Sequence, residues 1–230
     1  MTQAAWQAVW LSVQVSFWAT LLSLPAGIWV AHLLARGRFA GRQALNGLVH
    51  LPLILPPVVT GYLLLLTFGR QGPVGAVLES WFGVVLAFRW TGAVLAAAVM
   101  AFPLMVRAIR LAIEAVDPKL EDAAATLGAS RGQVFLTVTL PLILPGVIAG
   151  AVLAFAKAMG EFGATITFVA NIPGQTQTLP SAIYAFLQVP DGDGEAFRLV
   201  VVSVAVAMAA LVASELLARR VQARVAGRDA

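Results

Sequence analysis

The sequence predicts an all-α integral membrane protein of about five transmembrane helices, with one polar helical hairpin set between them. Only 11% of its 230 residues are charged, and mean hydropathy is +0.88. A soluble domain carries about 25% charged residues. Apolar runs of about 20 residues recur along the chain, the length that crosses a ~30 Å hydrocarbon core as a helix. These runs are too long and uniform for barrel strands, and lipid admits only helices or closed barrels. The absence of cysteine excludes a disulfide framework and a thiolate metal site.

The first span is expected at about 6–34. It contains no Asp, Glu, Lys or Arg. It lacks the basic n-region of a signal peptide and is too long for one. Trp6, Trp10, Trp18 and Trp29 lie along it, and those near its ends suit the membrane interfaces. The second span, about 45–68, holds Pro52, Pro56 and Pro57, which predict a kink or an early break. The third covers about 90–109 with Pro103 near its inner end, the fourth about 140–162, and the fifth about 199–217. The chain reads as a single transmembrane domain over 1–230. Two apolar stretches, within 71–89 and 176–189, are too short to span and are expected to be interfacial or re-entrant. Either lines an outer vestibule or serves as a packing lid.

Charge sets the direction. Arg36, Arg38 and Arg42, then Arg107, Arg110, Lys119 and Arg131, then Arg219, Arg220, Arg224 and Arg228 fall in one set of loops. These are eleven of the 15 basic residues; the opposite loops hold Arg70, Arg89 and Arg198. Cytoplasmic loops carry the excess of Lys and Arg. The N-terminus is therefore expected outside, and the C-terminus and residues 117–138 in the cytoplasm.

That cytoplasmic segment is a capped hairpin. Asp117 suits an N-cap and Pro118 the first helical position. The helix that follows has Ala123, Ala124 and Ala125 at its middle, and Gly128 is placed to close it in a left-handed conformation. Ser130 and Gln133 fit a capping box for a second helix leading to Leu140-Pro141. Small alanines let another protein approach closely, and Glu121 and Asp122 can meet basic groups. A polar, rigid element on a membrane protein fits a docking surface; an ordinary solvated loop helix is the plainer reading.

Within this hairpin, Asp122-Ala123-Ala124, Gly128 after a gap of three residues, then Val138, Leu140 and Pro141 resemble the EAA motif of ABC importer permeases. Asp122 stands where Glu is usual and Val138 where Ile is usual; both keep charge or shape. The resemblance implies a type I permease fold. It also implies that this hairpin is the coupling helix seated in a groove of a cytoplasmic ATPase. Leu120, Glu121, Asp122, Ala123, Ala124, Leu127 and Gly128 would then be its coupling residues. The stretches LPLILPPVVTGYLLL (51–65), RWTGAVLAAAVMAFPLMVRAIRLAIEAVD (89–117) and GEFGATITFVANIPGQTQTLPSAIY (160–184) are similar to the permease subunit of molybdate importers. The last of them also resembles sulfate-type permeases. The resemblance therefore implies a bacterial inner-membrane subunit that translocates an oxyanion, molybdate before tungstate, sulfate or thiosulfate. The implied partners are a second permease copy, two ABC ATPase subunits, a periplasmic oxyanion-binding protein and membrane lipid, with no nucleic acid.

The only lysines, Lys119 and Lys157, precede Leu120 and Ala158, so no Gly-Lys-Ser/Thr loop exists to cradle a nucleotide. The chain is expected to be non-catalytic and to carry no cofactor, with ATP and Mg bound by the partner ATPase. No metal site is expected. His32 and His50 are isolated residues for the inner interface, and Asp191-Gly192-Asp193-Gly194-Glu195 lacks calcium-loop spacing and reads as a flexible outer turn. A different class, an ATPase-independent channel or secondary transporter, would need intramembrane ionisable residues or internal repeats. The spans offer only Lys157 and Glu161, neighbours at i and i+4. They form either a neutralising pair or a step in the anion path. Thr165, with Thr167, Thr176 and Thr178, is a candidate path-lining hydroxyl or a turn former. Gly163, with Gly160, permits close helix packing or a hinge. Pro56, Pro57 and Gly61 shape or gate the cavity, or simply pack.

Overall fold

The computed structural model describes residues 2–225, with side chains described at 2–213, 215 and 216. Among the described residues the regular structure is helical throughout. The helices are α1 (Gln3–Arg36), α2 (Arg42–Ile54), α3 (Pro57–Phe68), α4 (Pro73–Phe82), α5 (Trp90–Glu114), α6 (Pro118–Thr126), α7 (Arg131–Val134), α8 (Leu140–Met159), α9 (Gly163–Val169), α10 (Leu179–Phe186) and α11 (Asp193–Val225). A π-helical turn, Phe135–Thr139, joins α7 to α8.

Packing follows the logic of lipid rather than water. The buried face of α1 is mostly small residues, Ala5, Ala8, Ser12, Ser16, Ala19, Gly27 and Ala31, joined by Val9, Val15, Val30 and Leu34, while Trp6, Trp10, Leu22 and Trp29 are exposed. Lipid tails give no reason to hide large apolar side chains, and small residues let helix backbones approach. α5 is the centre of the bundle: 61% of its apolar window is buried, against 11% for α11. It offers Ala93, Ala96, Ala97 and Ala101 to its neighbours. Gly146 and Gly150 of α8 fit against Ala112 and Ile109 of α5.

Contacts at helix ends fix the directions. The Arg36 side chain at the end of α1 donates to the Ile113 and Val116 carbonyls at the end of α5, so α1 and α5 run the same way. Arg110 Nη1 donates to Asn46 Oδ1 of α2 at 3.1 Å, which places α2 at that same end. The Thr2 N–H donates to Glu195 Oε2 at 3.4 Å, so α11 starts beside the N-terminus and runs parallel to α1. α8 runs against them, since Gly146 meets Ala112 and Gly150 lies nearer Met105. The two termini of the described chain thus lie at opposite ends of the bundle.

Four helices are long and apolar enough to cross a membrane, or five if α2 and α3 count as one broken span. The expected proline kink is a break of 113° between those two helices. Leu55 and Pro56 are both extended, as residues before proline must be, and Pro57 opens the new helix. Other boundaries move as well. α7, the π-turn and α8 form one helical path, Arg131–Met159, so the second hairpin helix is the beginning of the fourth span rather than a separate element. That span stops at Met159, before the expected 162. α11 extends the fifth span at both ends, and Asp193, Gly194 and Glu195 form its first turn instead of a flexible loop. The stretches 71–89 and 176–189 contain the short helices α4 and α10. Arg228 and the side chains of Arg219, Arg220 and Arg224 lie outside the described residues.

Candidate functional site

The hairpin between α5 and α8 is built almost entirely by capping. Asp117 Oδ1 accepts from the Lys119 N–H at 3.0 Å and starts α6. Gly128, at φ +89°, ends it. The Gly128 N–H reaches the Ala125 carbonyl at 3.0 Å and the Ala129 N–H reaches the Ala124 carbonyl at 3.3 Å, the paired bonds of a Schellman closure. Ser130 Oγ then accepts from the Gln133 N–H at 3.4 Å while Gln133 Oε1 accepts from the Ser130 N–H at 2.8 Å. Both halves of the expected capping box are present.

α6 buries none of its residues. Leu127, just beyond its end, is 89% exposed, and Leu120, Asp122 and Ala123 are also exposed, while Ala124 is half-buried. Apolar side chains held rigidly in the open beside an acidic group suit a protein partner. Glu121 behaves differently from its neighbour. Its Oε1 accepts from Thr139 Oγ1 at 2.8 Å, and its Oε2 lies 3.2 Å from Arg36 Nε in an ion pair not aligned as a hydrogen bond. The expectation that Glu121 and Asp122 both present charge outward therefore divides, with Asp122 facing out and Glu121 tied to its own chain. Between α1 and the hairpin lies a cavity of about 670 Å³, lined by His32, Arg36, Arg38, Asp122, Arg131 and Phe135 among others. His32 packs edge-on to Phe135 there, with ring centroids 5.0 Å apart.

The remaining candidates gather at the junction of α3, α8 and α9. Glu161 is 2% exposed; its Oε2 pairs with Lys157 Nζ at 2.6 Å and its Oε1 accepts from the Ala164 N–H at 3.0 Å. The carboxylate thus serves the first turn of α9, and Lys157 is already paired. Gly163 abuts Pro57, where a Cβ would fall 2.7 Å from the proline Cβ. Gly61 abuts Ala164, where a Cβ would fall 2.5 Å from its carbonyl oxygen. Five sequence candidates, Pro57, Gly61, Lys157, Glu161 and Gly163, thereby meet beside the α2–α3 break at Pro56. Thr165 Oγ1 donates to the Phe162 carbonyl at 2.9 Å and Thr167 Oγ1 to the Gly163 carbonyl at 2.8 Å. Thr176 Oγ1 accepts from the Ile172 N–H at 3.0 Å, and Thr178 Oγ1 lies 3.3 Å from Ser181 Oγ. These hydroxyls serve turns and helix backbones.

A cavity does open beside the stretches 71–89 and 176–189, where a vestibule was one of the two expectations, but the α1 residues that also line it, Gln7 and Gln14, were not among the candidates. At the end of the bundle away from the hairpin, this cavity of about 970 Å³ is lined by Gln7, Gln14, Arg89, Trp90, Gln175 and Gln177 among others. Its signal was Gln7 and Gln14, two amides seven residues apart on one face of an uncharged span.

The model of the family described as binding-protein-dependent transport system inner membrane component matches residues 23–227. The chain belongs to this family. It is 61% identical over 219 residues to the molybdenum transport system permease protein ModB of Escherichia coli K12, covering 95% of this chain and 96% of that protein. It is 54% identical over 218 residues to ModB of Haemophilus influenzae, covering 95% of each. A solved bacterial alginate ABC transporter, in complex with alginate pentasaccharide-bound periplasmic protein, superposes with a TM-score of 0.75 at 19% identity, covering 96% of this chain and 80% of that one. At that identity the likeness is one of fold. The chain is thus an inner-membrane component of a transport system, and the junction and hairpin described above belong to a permease architecture.

Proposed function

We propose that the chain is the permease subunit of an ATP-driven importer of molybdate. Two copies form the pathway, a periplasmic binding protein delivers the oxyanion, and two cytoplasmic ABC ATPases dock on the hairpins. ATP and its Mg bind those ATPase subunits, and this chain performs no hydrolysis. The N-terminus is outside and the C-terminus in the cytoplasm. The observation that carries the reading is 61% identity to a molybdenum permease across 95% of the chain. The exposed Leu120, Asp122 and Leu127 support the ATPase contact.

ATP binding closes the ATPases and moves the α6 helices, and the spans rock to open outward toward the docked binding protein. Hydrolysis resets the inward state. Such coupling needs contacts that differ between the two states. The permease need not bind the anion tightly, so selection rests with the binding protein. The test is reconstitution of the chain in proteoliposomes with its own ATPase and binding protein. Labelled molybdate should enter only with ATP, with tungstate competing and sulfate competing weakly. Uptake without the ATPase would make the chain a channel or secondary carrier. Uptake of sulfate in preference to molybdate would move the substrate to the related oxyanion.

A further inference from the structure

We propose that Glu121 is a positioning residue, an internal strut that transmits the movement of α6 to the membrane spans, rather than a contact for the ATPase. The inference rests on the ATPase-coupled reading above. It starts from an imbalance in how α6 is held. The helix buries no side chain, so apolar packing gives it little attachment. Its caps join it to the chain on either side but not to the bundle.

The Glu121 carboxylate supplies that attachment, reaching two spans directly and a third through Arg36. Oε2 pairs with Arg36, the last residue of α1, at 3.2 Å. Oε1 accepts from Thr139, the last residue of the π-turn and 1% exposed, at 2.8 Å. Arg36 extends the link to α5, because its Nη2 donates to the Val116 carbonyl at 2.8 Å and the Ile113 carbonyl at 3.1 Å. The Val116 carbonyl lies past the end of α5, the Ile113 carbonyl accepts from Arg36 and also from the Val116 N–H at 3.2 Å, and a cation there also meets the negative end of the helix dipole. The planar guanidinium can serve carbonyls and carboxylate together where a lysine ammonium could not hold the same geometry. The side chains of the ion pair are only 22% and 19% exposed, so water screens it less than a surface pair.

The position of Thr139 gives the strut a mechanical sense. The hydrogen bonds of the π-turn span one residue more than those of an α-helix, and such turns are frequent at functional sites. A pull on Thr139 acts at the point where the hairpin becomes α8. The same pull acts through Arg36 on the ends of α1 and α5. The exposed Asp122 and Leu127 are left free for the partner, so the two adjacent acids divide the work of docking and transmission.

The test uses the reconstituted importer and reads two quantities, ATP hydrolysed and anion transported. Glu121→Gln keeps the shape and an acceptor for Thr139 but loses the charge that holds Arg36. We expect the ATPase to remain bound and active, while anion moved per ATP falls about tenfold, the change that ~1.4 kcal/mol of lost contact corresponds to. Arg36→Gln should do the same, and the double variant should cost no more than either single change. Asp122→Lys, by contrast, should lose ATPase binding and transport together. Thr139→Val should lower the ratio and Thr139→Ser should keep it, which a purely structural role would not separate; this pair also decides the matter if Glu121→Gln does not fold. An unchanged transport ratio in Glu121→Gln, or loss of ATPase binding in that variant, overturns the strut. Wild-type protein that fails to couple at all overturns the functional reading instead.

Discussion

Glu161 shows how a charge survives inside the bundle. Its carboxylate is 2% exposed and is satisfied by Lys157 at 2.6 Å and the Ala164 N–H at 3.0 Å. Lys157 is 29% exposed and its long stem lets the ammonium reach water if its partner is removed. The two halves of the pair are therefore unequal. Lys157→Met strands a buried carboxylate, whereas Glu161→Gln keeps an acceptor for Ala164 and frees only a lysine that can turn outward. Thermal unfolding in detergent should show Lys157→Met as the more destabilised, by ~2 kcal/mol, below the range for a fully buried pair because one partner is part-exposed. The double variant should recover part of the loss. Equal midpoints for the two single variants would remove the asymmetry. The sequence made this pair legible through its i and i+4 spacing alone. It gave no sign that Glu121 turns inward while Asp122 turns out, because that depends on Arg36 and Thr139, 85 and 18 residues away in a chain whose folding brings them together.

At the scale of elements, legibility follows how local the cause is. The caps of the hairpin were readable to the residue because Asp117, Pro118, Gly128, Ser130 and Gln133 act on their immediate neighbours. The π-turn was not: Phe135–Thr139 falls just before Pro141, which lacks an N–H for the helix ladder, and the expected path there was a plain helix leading to Leu140-Pro141. The break at Leu55-Pro56 was readable as a break, but neither its 113° angle nor the landing of α3 on α9 was. That landing is made by Gly61, whose missing Cβ would sit 2.5 Å from the Ala164 carbonyl oxygen and 2.9 Å from its Cα. Both are backbone atoms and cannot swing aside. Gly61→Val should therefore drive α3 off α9 and open the junction at Gly163 and Pro57. Overpacking of this kind costs ~1–3 kcal/mol. The expected result is normal membrane insertion with a lower unfolding midpoint and reduced uptake, measured side by side with Gly47→Val, where a Cβ meets nothing within 4 Å. If Gly61→Val matches Gly47→Val in both measurements, the α3–α9 contact is looser than its geometry requires.

At the scale of the whole molecule, α1, α5 and α11 of the described residues run one way, while α8 and the broken α2–α3 pair, if it counts as one span, run the other. The distribution of cations follows that frame. Arg36, Arg42, Arg110 and Arg131 lie at the hairpin end, with Arg36 and Arg131 lining its cavity, while Arg89 lines the cavity at the far end. In the orientation we propose from the positive-inside rule, the hairpin end of that axis faces the cytoplasm. A chain without native cysteine lets this be tested with single introduced thiols. Leu127→Cys places a thiol at the exposed tip of the hairpin, and Gly83→Cys places one at an exposed turn of the opposite end. Gly83 sits at φ +64°, so Ser80→Cys, one turn earlier on the exposed face of α4, serves as the unstrained companion. In intact spheroplasts a membrane-impermeant maleimide should label positions 83 and 80 at once and position 127 only after permeabilisation. The reverse pattern would put the hairpin outside the cell, where no cytoplasmic ATPase could reach Leu120, Asp122 or Leu127. Labelling of both ends from outside would mean that α5, the one span between positions 83 and 127, does not cross.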